Sequence, residues 1–464
     1  MNRRKVDATR PMTRRDESGN LVRLSPDYPH KPLNRVNAPD AFPPDMLKVE
    51  GLLGQFIAEC VRSAPERRQP VYALATAICL VGALAGRRYR SPTDLRTNIY
   101  AAILGQSSSG KNHSQRVASQ LLTKADLGHY LAADYQSGAS IFSELLEFPA
   151  RLAIVDEFGI WLSKLTERNA PSHLVDIRKK LMTLFSTAAD VVAGGGYADR
   201  KLRERKDIHQ PHLCFVGLGT PDNFFKALQS GALKDGFIPR FLVFRPDAYL
   251  PELIANPLNL AISDDMVIAA QQIAGTSPGS GDIAGFLRMT GDASVEATNV
   301  PYSDDGKAEH ERYREICETI RQDGCLDFCE PELVGKWAEH AIKLGMIRAI
   351  SRDPVRPIMD KACVAWGWRL SEWCVGVVNS MAERHVADNQ IEADNKRVRN
   401  IIADAGFGGM TTAEITQKTR FLDLKARSHI LASLIEGGEI EAQPLPPGPK
   451  GGRPGARYRM AAPS

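Results

Sequence analysis

The sequence has no internal repeats and no secretion signal, and long apolar runs are scarce. The longest run, residues 71–86, is short for a membrane span and contains small side chains, so we expect a buried helix there. Eight cysteines are scattered along 464 residues, and we expect them to be reduced thiols in a cytoplasm. Cys317, Cys325 and Cys329 lie close together, but no fourth ligand follows at zinc-finger spacing, so the sequence predicts no structural zinc.

The net charge is small, at +4, and does not by itself indicate a polyanionic partner. Basic side chains are nevertheless concentrated at both ends of the chain, which suits contact with nucleic acid or, alternatively, plain solvation. The length predicts two to four domains. We divide the chain into a disordered basic arm, an N-terminal helical region, a core, a mainly helical lid and a C-terminal unit, at residues 1–44, 45–97, 98–250, 251–394 and 395–464.

Short apolar runs alternate with helical patterns in the middle of the chain. This alternation predicts an α/β fold with a buried, mainly parallel sheet and helices on both faces. The expected strands occupy residues 98–104, 151–155, 212–217 and 241–244. Strong helical periodicity covers residues 112–124, 332–350 and 360–383.

A glycine-rich loop follows the first of these strands and precedes a helix. The loop fits the G-x4-G-K pattern, in which backbone N–H groups and a helix N-terminus surround phosphate oxygens. We expect its lysine to reach the β- and γ-phosphates of ATP, and a serine or threonine usually follows it as a magnesium ligand. Here Asn112 stands at that position, and its amide oxygen is a weaker candidate ligand. The candidate nucleotide-binding residues are Gly105, Gln106, Ser107, Ser108, Ser109, Gly110, Lys111, Asn112 and His113.

Polar residues also end the next two strands. Asp156 and Glu157 follow the second strand, where an aspartate would hold Mg²⁺ and a glutamate would polarise the attacking water. Thr220 and Asn223 follow the third strand and are candidates to contact both γ-phosphate and water. The alternative for these two residues is a turn that caps the next helix.

These features together resemble a family of ring-forming P-loop ATPases carried by phages, plasmids and integrative elements, allied to AAA+ proteins and superfamily 3 replicative helicases. The resemblance covers roughly residues 45–385, and Gly-Phe-Ile-Pro-Arg240-Phe-Leu is its most specific segment. It implies ATP and Mg²⁺ as ligands, a hexameric ring, and Arg240 acting in the neighbouring subunit's site. A surface ion pair is the alternative role for Arg240, with Arg245 as a weaker competitor. Lys336 matches the lid residue that contacts phosphate, although arginine is more usual there.

The segment before the third strand is a candidate DNA-binding hairpin. In related rings an insertion at this place projects into the central pore, and its cations would bind phosphates while a tyrosine stacks on a base. A solvated charged face is the alternative. The candidate residues are Tyr197, Arg200, Lys201, Arg203, Arg205 and Lys206.

The last 65 residues predict a winged helix-turn-helix. Helices are expected at 396–405, 411–418 and 423–436, followed by two strands around a basic turn, and Leu424 is expected on the buried side of the third helix. Such units also serve as protein-interaction domains. The candidate DNA contacts are Lys425, Arg427, Ser428, His429, Lys450 and Arg453.

The sequence therefore predicts an ATP-dependent DNA helicase or translocase that replicates a mobile element as a hexameric ring. No primase or nuclease constellation is present, so those activities would come from a partner. The first alternative is a non-translocating ATP switch: a replication initiator, a helicase loader or a defence regulator. The second is a structural DNA-binding protein with a decayed ATP site.

Overall fold

The computed structural model describes residues 42–132, 135–167, 169–194, 206–228, 235–246, 251–276, 291–322, 331–385, 390–445 and 455–461, together with 13–15 and 21–23. Its fold is mixed α/β. The strands are β1 (Thr13–Arg15), β2 (Leu21–Arg23), β3 (Tyr89–Arg90), β4 (Tyr100–Leu104), β5 (Ala150–Val155), β6 (Val191–Val192), β7 (Ile208–His209), β8 (His212–Gly219), β9 (Phe241–Phe244), β10 (Thr298–Asn299), β11 (Met410–Thr411), β12 (Ile440–Leu445) and β13 (Gly455–Met460).

The helices follow the same chain order. They are α1 (Gly51–Arg62), α2 (Pro70–Ala85), α3 (His113–Lys124), α4 (Gly138–Glu147), α5 (Phe158–Thr166), α6 (Ser172–Ser186), α7 (Pro221–Leu228), α8 (Asp264–Ala274), α9 (Asp304–Gln322), α10 (Pro331–Arg352), α11 (Lys361–His385), α12 (Gln390–Ala403), α13 (Thr412–Lys418) and α14 (Leu424–Glu436).

Four parallel strands form the central sheet, in the order β5, β8, β4, β9. Every residue of β4, β8 and β9 is buried, as expected for parallel strands covered on both faces. Consecutive side chains of a strand point to opposite faces, so Ala101 and Ile103 belong to one core and Tyr100, Ala102 and Leu104 to the other. The prediction of a buried parallel sheet is confirmed.

Helix α2 lies at the centre of the first core. It is buried from Val71 to Ala85, and the first core also contains side chains of α1, α10 and α11. Among the described residues, Pro70–Arg88 is the one segment long and apolar enough to cross a membrane, yet 94% of its most apolar window is buried inside the protein. The expected buried helix is confirmed.

The first core also crosses two of the expected domain boundaries. Its members run from Phe42 to Cys374, so residues 45–97, the sheet and the 251–394 region share one core rather than three. Local periodicity gave no sign of this sharing, because it arises from contacts between distant segments. Within the N-terminal arm, β1 and β2 pair antiparallel, and the β-branched Thr13 and Val22 favour extended backbone.

The C-terminal residues form a unit with its own core. Val398, Ile402, Ile415, Ile430 and Leu434 are the centre of that core, and α12 begins within the predicted lid, at Gln390. Strands β11, β13 and β12 form an antiparallel sheet beside the three helices. A capping box begins the second helix, with Thr411 and Glu414 bonded reciprocally.

Candidate functional site

The glycine-rich loop lies at the carboxyl end of β4. Gly105, the first residue of the loop, donates its backbone N–H to the carbonyl of Gly219 (3.0 Å). This hydrogen bond fixes the loop beside the end of β8. Gln69 donates its side-chain amide to the carbonyl of Ser109 (2.8 Å). Ser108 and Gly110 both have left-handed backbone, with φ of 60° and 82°. Left-handed residues that alternate with right-handed ones are typical of the backbone concavities that bind anions.

Asn112 joins this loop to the acidic strand. Its Nδ2 donates a hydrogen bond of 2.9 Å to Oδ2 of Asp156, just beyond β5. Both side chains are exposed. The lysine-bearing loop and the acidic pair, 44 residues apart in sequence, therefore meet at one edge of the sheet.

Glu157 has an unusual backbone conformation. Its φ of 50° and ψ of 34° lie in the left-handed region, which is uncommon for a residue with a Cβ. Its N–H donates to Oδ1 of Asp156 (2.8 Å), which holds the bend between β5 and α5. Strained backbone of this kind is concentrated at functional sites. The bend leaves the Glu157 carboxylate exposed beside the loop.

Thr220 and Asn223 lie at the same edge, because β8 is placed between β4 and β5. Thr220 directly follows β8 and is half-exposed, and its carbonyl accepts from the N–H of Phe224 at 3.3 Å. Asn223 packs closely against the start of α5. A Cβ added to Gly159 would lie only 2.7 Å from the Cβ of Asn223. Thr220 stands at the N-cap position of α7, whereas Asn223 lies inside that helix as its third residue.

The residues at this edge fit a magnesium ion held jointly with phosphates. Asn112 and Asp156 offer amide and carboxylate oxygens, the hard ligands that Mg²⁺ prefers. No group of three or more histidine, cysteine, aspartate or glutamate side chains suited to a metal occurs in the described residues, so any ion would need ligands from its substrate. Ser114 accepts from Thr76 (2.8 Å) inside the protein and is not a ligand.

His113 differs from its predicted role. Its Nε2 lies 3.1 Å from the hydroxyl of Ser63, and its ring is half-buried against α1 rather than turned toward the loop. Burial lowers the pKa of His113, so the ring is neutral near pH 7. The backbone N–H of His113 donates to the carbonyl of Gly110 (3.3 Å), at the N-terminus of α3.

Arg240 lies at the opposite, amino edge of the sheet. It directly precedes Phe241, which pairs with Tyr100 at the start of β4. Its guanidinium donates to the Gly236 carbonyl and lies 5.9 Å from the centre of the Phe185 ring. Arg240 is half-buried against its own chain. Since β4 spans about 13 Å at the usual rise per residue, Arg240 is remote from its own phosphate loop.

Lys336 shares this location and does not reach the phosphate loop of its own chain. Its Nζ is 2.6 Å from Glu339 and 5.4 Å from the centre of the Phe185 ring. Phe185 packs on Tyr100, at the amino end of β4, with ring centres 5.1 Å apart. The predicted phosphate contact of Lys336 is therefore wrong within one chain, because this part of α10 packs near the amino end of β4 while the loop follows its carboxyl end.

The candidate DNA-binding hairpin has a described stem. Val191 and Val192 pair antiparallel with His209 and Ile208, as expected for a hairpin before the third strand. Lys206 is exposed at its base. The other candidates lie outside the described residues, namely Tyr197, Arg200, Lys201, Arg203 and Arg205.

The C-terminal unit corrects two predictions. Arg427 is 8% exposed and donates to the Thr419 hydroxyl (2.7 Å) and to the carbonyls of Thr419 (3.1 Å) and Leu422 (2.8 Å). These hydrogen bonds hold the turn between α13 and α14. Because they occupy the buried guanidinium, Arg427 does not contact DNA. Leu424, predicted to be buried, is 76% exposed. Arg427 lies three and four residues before the buried Ile430 and Leu431 and faces the core with them, whereas Leu424 is the first residue of α14.

The other three DNA candidates on α14 are exposed. Lys425 and His429 are exposed, whereas the hydroxyl of Ser428, although exposed, donates to the carbonyl of Leu424 (2.9 Å). Lys450 and Arg453 lie outside the described residues.

Sequence inspection missed three residues that shape these sites. Gln69 supports the phosphate loop, and its position before α2 carries no recognisable signal. Glu339 pairs with Lys336 and Lys343, and both lysines lie over the Phe185 ring. The three residues are three or four positions apart on one helix face, a spacing from which these ion pairs could have been predicted. Known proteins do not place the chain in a family: no protein-family model matches it, and no curated protein sequence is significantly similar to it.

Proposed function

We propose that this protein is a P-loop ATP hydrolase that moves DNA as a hexameric ring, a helicase or translocase for replication of a mobile element. The observation that carries the proposal is the Asn112–Asp156 hydrogen bond of 2.9 Å. It unites a phosphate-binding loop with a carboxylate pair at the carboxyl edge of a parallel sheet, where ligands of such sheets bind. The strand between the two, β8, places Thr220 beside both.

Each residue has a chemical task in this proposal. Backbone N–H groups of residues 105–111 and the Lys111 ammonium bind the β- and γ-phosphates, while Asn112 and Asp156 would hold Mg²⁺. When bound, the ion would neutralise charge on the phosphates. Glu157 orients and polarises the attacking water, and its bent backbone fixes the carboxylate. Thr220 and Asn223 position the same water against the γ-phosphate.

The DNA-facing parts are the hairpin on β6 and β7 and the C-terminal unit. Their supporting observations are the antiparallel stem with exposed Lys206, and a three-helix, three-strand unit that fits a winged helix-turn-helix. Lys425 and His429 are the exposed candidates on its α14. We place the protein in the cytoplasm, with DNA, further copies of itself, and a primase or other replication proteins as partners.

Steady-state ATPase measurements with and without DNA test this proposal, together with unwinding of a forked duplex and mass measurement with ATP. We expect DNA to stimulate hydrolysis and ATP to drive assembly. Lys111→Ala should abolish nucleotide binding, with Lys164→Ala as the control on a neighbouring helix. A protein that stays monomeric with ATP and DNA, and whose ATPase ignores DNA, would not be a translocase.

The second candidate is a non-translocating ATP switch that binds DNA through its C-terminal unit. The same Asn112–Asp156 bond favours it, because a carboxylate engaged by an amide is less available to a metal. A switch would hydrolyse ATP slowly and displace no strand. Strand displacement coupled to hydrolysis therefore separates the two candidates.

A further inference from the structure

Helix α2 contacts the glycine-rich loop through its first turns. Gln69, which precedes α2, donates to the Ser109 carbonyl at 2.8 Å. Tyr72 is buried under the loop, and a Cβ added to the first glycine of the loop would lie only 2.3 Å from the Tyr72 hydroxyl. Thr76 donates to the hydroxyl of Ser114, in the first turn of α3, at 2.8 Å. The spacing of three and four residues places these contacts on one face of α2.

The other end of α2 contacts the stem of the candidate hairpin, which β6 and β7 form. Arg87 lies two residues after α2 and is 3% exposed. Its Nη1 donates to the carbonyl of His209 in β7 (3.3 Å) and to the carbonyl of Ala293 (2.8 Å). His212, at the start of β8, donates to the carbonyl of Gly82 in α2 (3.0 Å). The end of α2 is therefore hydrogen-bonded to the stem and to the strand that follows the stem.

Residues 291–295 support the same stem. His209 donates its N–H to the carbonyl of Gly291 at 2.8 Å. The Gln210 side chain bonds the backbone of Val295 in both directions, donating to its carbonyl (3.0 Å) and accepting from its N–H (2.8 Å). Gln210 also has left-handed backbone, with φ of 51°, a conformation that persists where the surrounding structure holds it. These contacts fix the stem against the body of the protein.

Arg87 is suited to hold the stem because it is both buried and charged. Burial lowers the pKa of its guanidinium to about 10, so the side chain remains a cation at neutral pH. A buried cation is costly unless it is hydrogen-bonded, and the two carbonyls supply acceptors. Hydrogen bonds from a charged donor are roughly twice as strong as neutral ones. Arg87 therefore attaches the stem to α2 more firmly than a neutral side chain would.

The two ends of α2 lie at opposite edges of the sheet. The glycine-rich loop follows the carboxyl end of β4, whereas the stem precedes the amino end of the parallel strand β8. Helix α2 is buried from Val71 to Ala85, and a helix of its length spans about 24 Å. Close-packed interiors deform little and transmit strain. Helix α2 therefore holds the loop and the stem at a fixed spacing.

We propose that Arg87 is a positioning residue that couples the stem to α2, so that nucleotide in the loop and DNA at the stem affect one another through this helix. The inference rests on the proposed ATPase function. It adds a connection separate from β8, which links the stem to Thr220 along the chain. Arg87 serves the stimulation of hydrolysis by DNA, and neither hydrolysis itself nor DNA binding. Because coupling between two binding sites is reciprocal, nucleotide must also change the stability of the stem.

Hydrogen exchange followed by mass spectrometry tests this coupling. In the wild type, ATPγS with Mg²⁺ should slow exchange of backbone amides in both the glycine-rich loop and β7. In Arg87→Met, which lacks the donors, the loop should stay protected while the added protection of β7 falls by about three- to tenfold, the effect of about one net hydrogen bond. Equal protection of β7 in the variant, or none in a wild type whose loop is protected, would overturn the inference. A wild-type loop that ATPγS does not protect would instead refute the proposed ATPase.

Steady-state kinetics give a second measurement. Arg87→Met should lower the DNA-stimulated kcat by about three- to tenfold, while ATPase without DNA and the Kd for DNA change by less than about twofold. Arg87→Lys retains a donor and should recover part of the stimulation. Arg88→Met is the matched control, because Arg88 also donates to backbone carbonyls, those of Gln272 and Ile273 at the end of α8. An equal loss of ATPase with and without DNA would leave Arg87 a purely structural role.

Gln210→Gly covers the case in which Arg87→Met does not fold. Glycine accepts the left-handed backbone, so the change removes only the two hydrogen bonds to Val295. It should reduce the nucleotide-dependent protection of β7 and leave that of the loop unchanged. Asp126→Gly is its control, since Asp126 has a similar φ of 59° but follows α3. A folded Gln210→Gly chain with wild-type protection of β7 would contradict the coupling through the stem.

Discussion

At the scale of single residues, Asn112 departs most from the pattern that its loop resembles. An amide can donate and accept, so Asn112 binds Asp156 through its NH₂ group and still offers an oxygen. A serine or threonine hydroxyl at this position would be a compact oxygen ligand instead. The hydrogen bond from Asn112 therefore joins the glycine-rich loop directly to Asp156, two parts of the site that a metal ion would otherwise connect.

Replacing this residue tests that interpretation. Asn112→Thr should lower the Mg²⁺ concentration for half-maximal ATPase by about three- to tenfold, the effect of one net hydrogen bond that no longer has to be broken. The affinity for ATP without metal should fall or stay unchanged, and fluorescence titration with and without chelator measures it. Asn112→Ala separates the two effects, because it frees Asp156 without supplying a hydroxyl. A raised Mg²⁺ requirement in Asn112→Thr would count against the interpretation.

Arg427 shows why residue assignments are harder than element assignments. The sequence predicted helix α14 correctly, and Asp423 caps it as expected of an aspartate there. Which side of a helix faces the core depends on its rotation against neighbours that are distant in sequence. Arg427 precedes Ile430 by three residues and Leu431 by four, so it lies on the buried face of α14, where it donates hydrogen bonds to Thr419 and Leu422 of the preceding turn.

At the scale of elements, the candidate site depends on how closely α5, α7 and β8 approach one another. Gly159 is the contact point, and any side chain there meets Asn223 on α7. Because Glu157 precedes α5 and Thr220 precedes α7, this packing sets the distance between two of the three residues proposed to handle the attacking water.

Gly159→Ala should therefore separate these elements. Overpacking at a contact of this kind costs about 1–3 kcal/mol of unfolding free energy, measurable by urea denaturation. Hydrolysis should fall more than nucleotide binding, since the loop at residues 105–111 is not displaced. Gly376→Ala is the control, because a Cβ at this helical glycine meets nothing within 4 Å and should stabilise α11. Equal effects from both substitutions would argue against the close packing.

Elements whose signals are local were predictable from the sequence. Strand β9 was predicted at 241–244 and found at Phe241–Phe244, and the Thr411–Glu414 capping box was recognisable from residue types alone. The central place of α2 in the first core could not be predicted from the sequence, because the residues that bury α2 are distant along the chain. The prediction for Lys336 was wrong for the same reason. The sequence predicted its helix correctly, but not the edge of the sheet against which that helix packs.

At the scale of the whole molecule, two buried histidines link folding to pH. His212 donates to the Gly82 carbonyl (3.0 Å) and His340 to the Pro239 carbonyl (3.1 Å). Burial lowers the pKa of His212 to about 3 and that of His340 to about 4. The folded protein keeps both rings neutral, whereas an unfolded chain protonates them near their ordinary pKa of 6.5.

The unfolding free energy should consequently fall as the pH drops from 6.5 toward 4, because the unfolded chain binds more protons in that window. The slope approaches about 1.4 kcal/mol per pH unit for each histidine. His340→Gln keeps a donor for Pro239 and should remove one histidine's share, as urea midpoints between pH 8 and pH 5 would show. His429→Gln, at an exposed position, controls for the exchange itself. A His340→Gln slope equal to the wild-type slope would place the proton uptake elsewhere.

The placement of the glycine-rich loop and Arg240 on opposite edges of the sheet has one more consequence. If the proposed ring joined the loop of one copy to Arg240 of the next, each contact would have a direction, and a row of copies would have two different ends: one with an unused loop and one with an unused Arg240. Such a row always completes one site fewer than it has members, and only closure joins the last two halves. Growth would then be favoured at both ends until the circle shuts, so incomplete arcs would be short-lived and the number of active sites would change in a single final step.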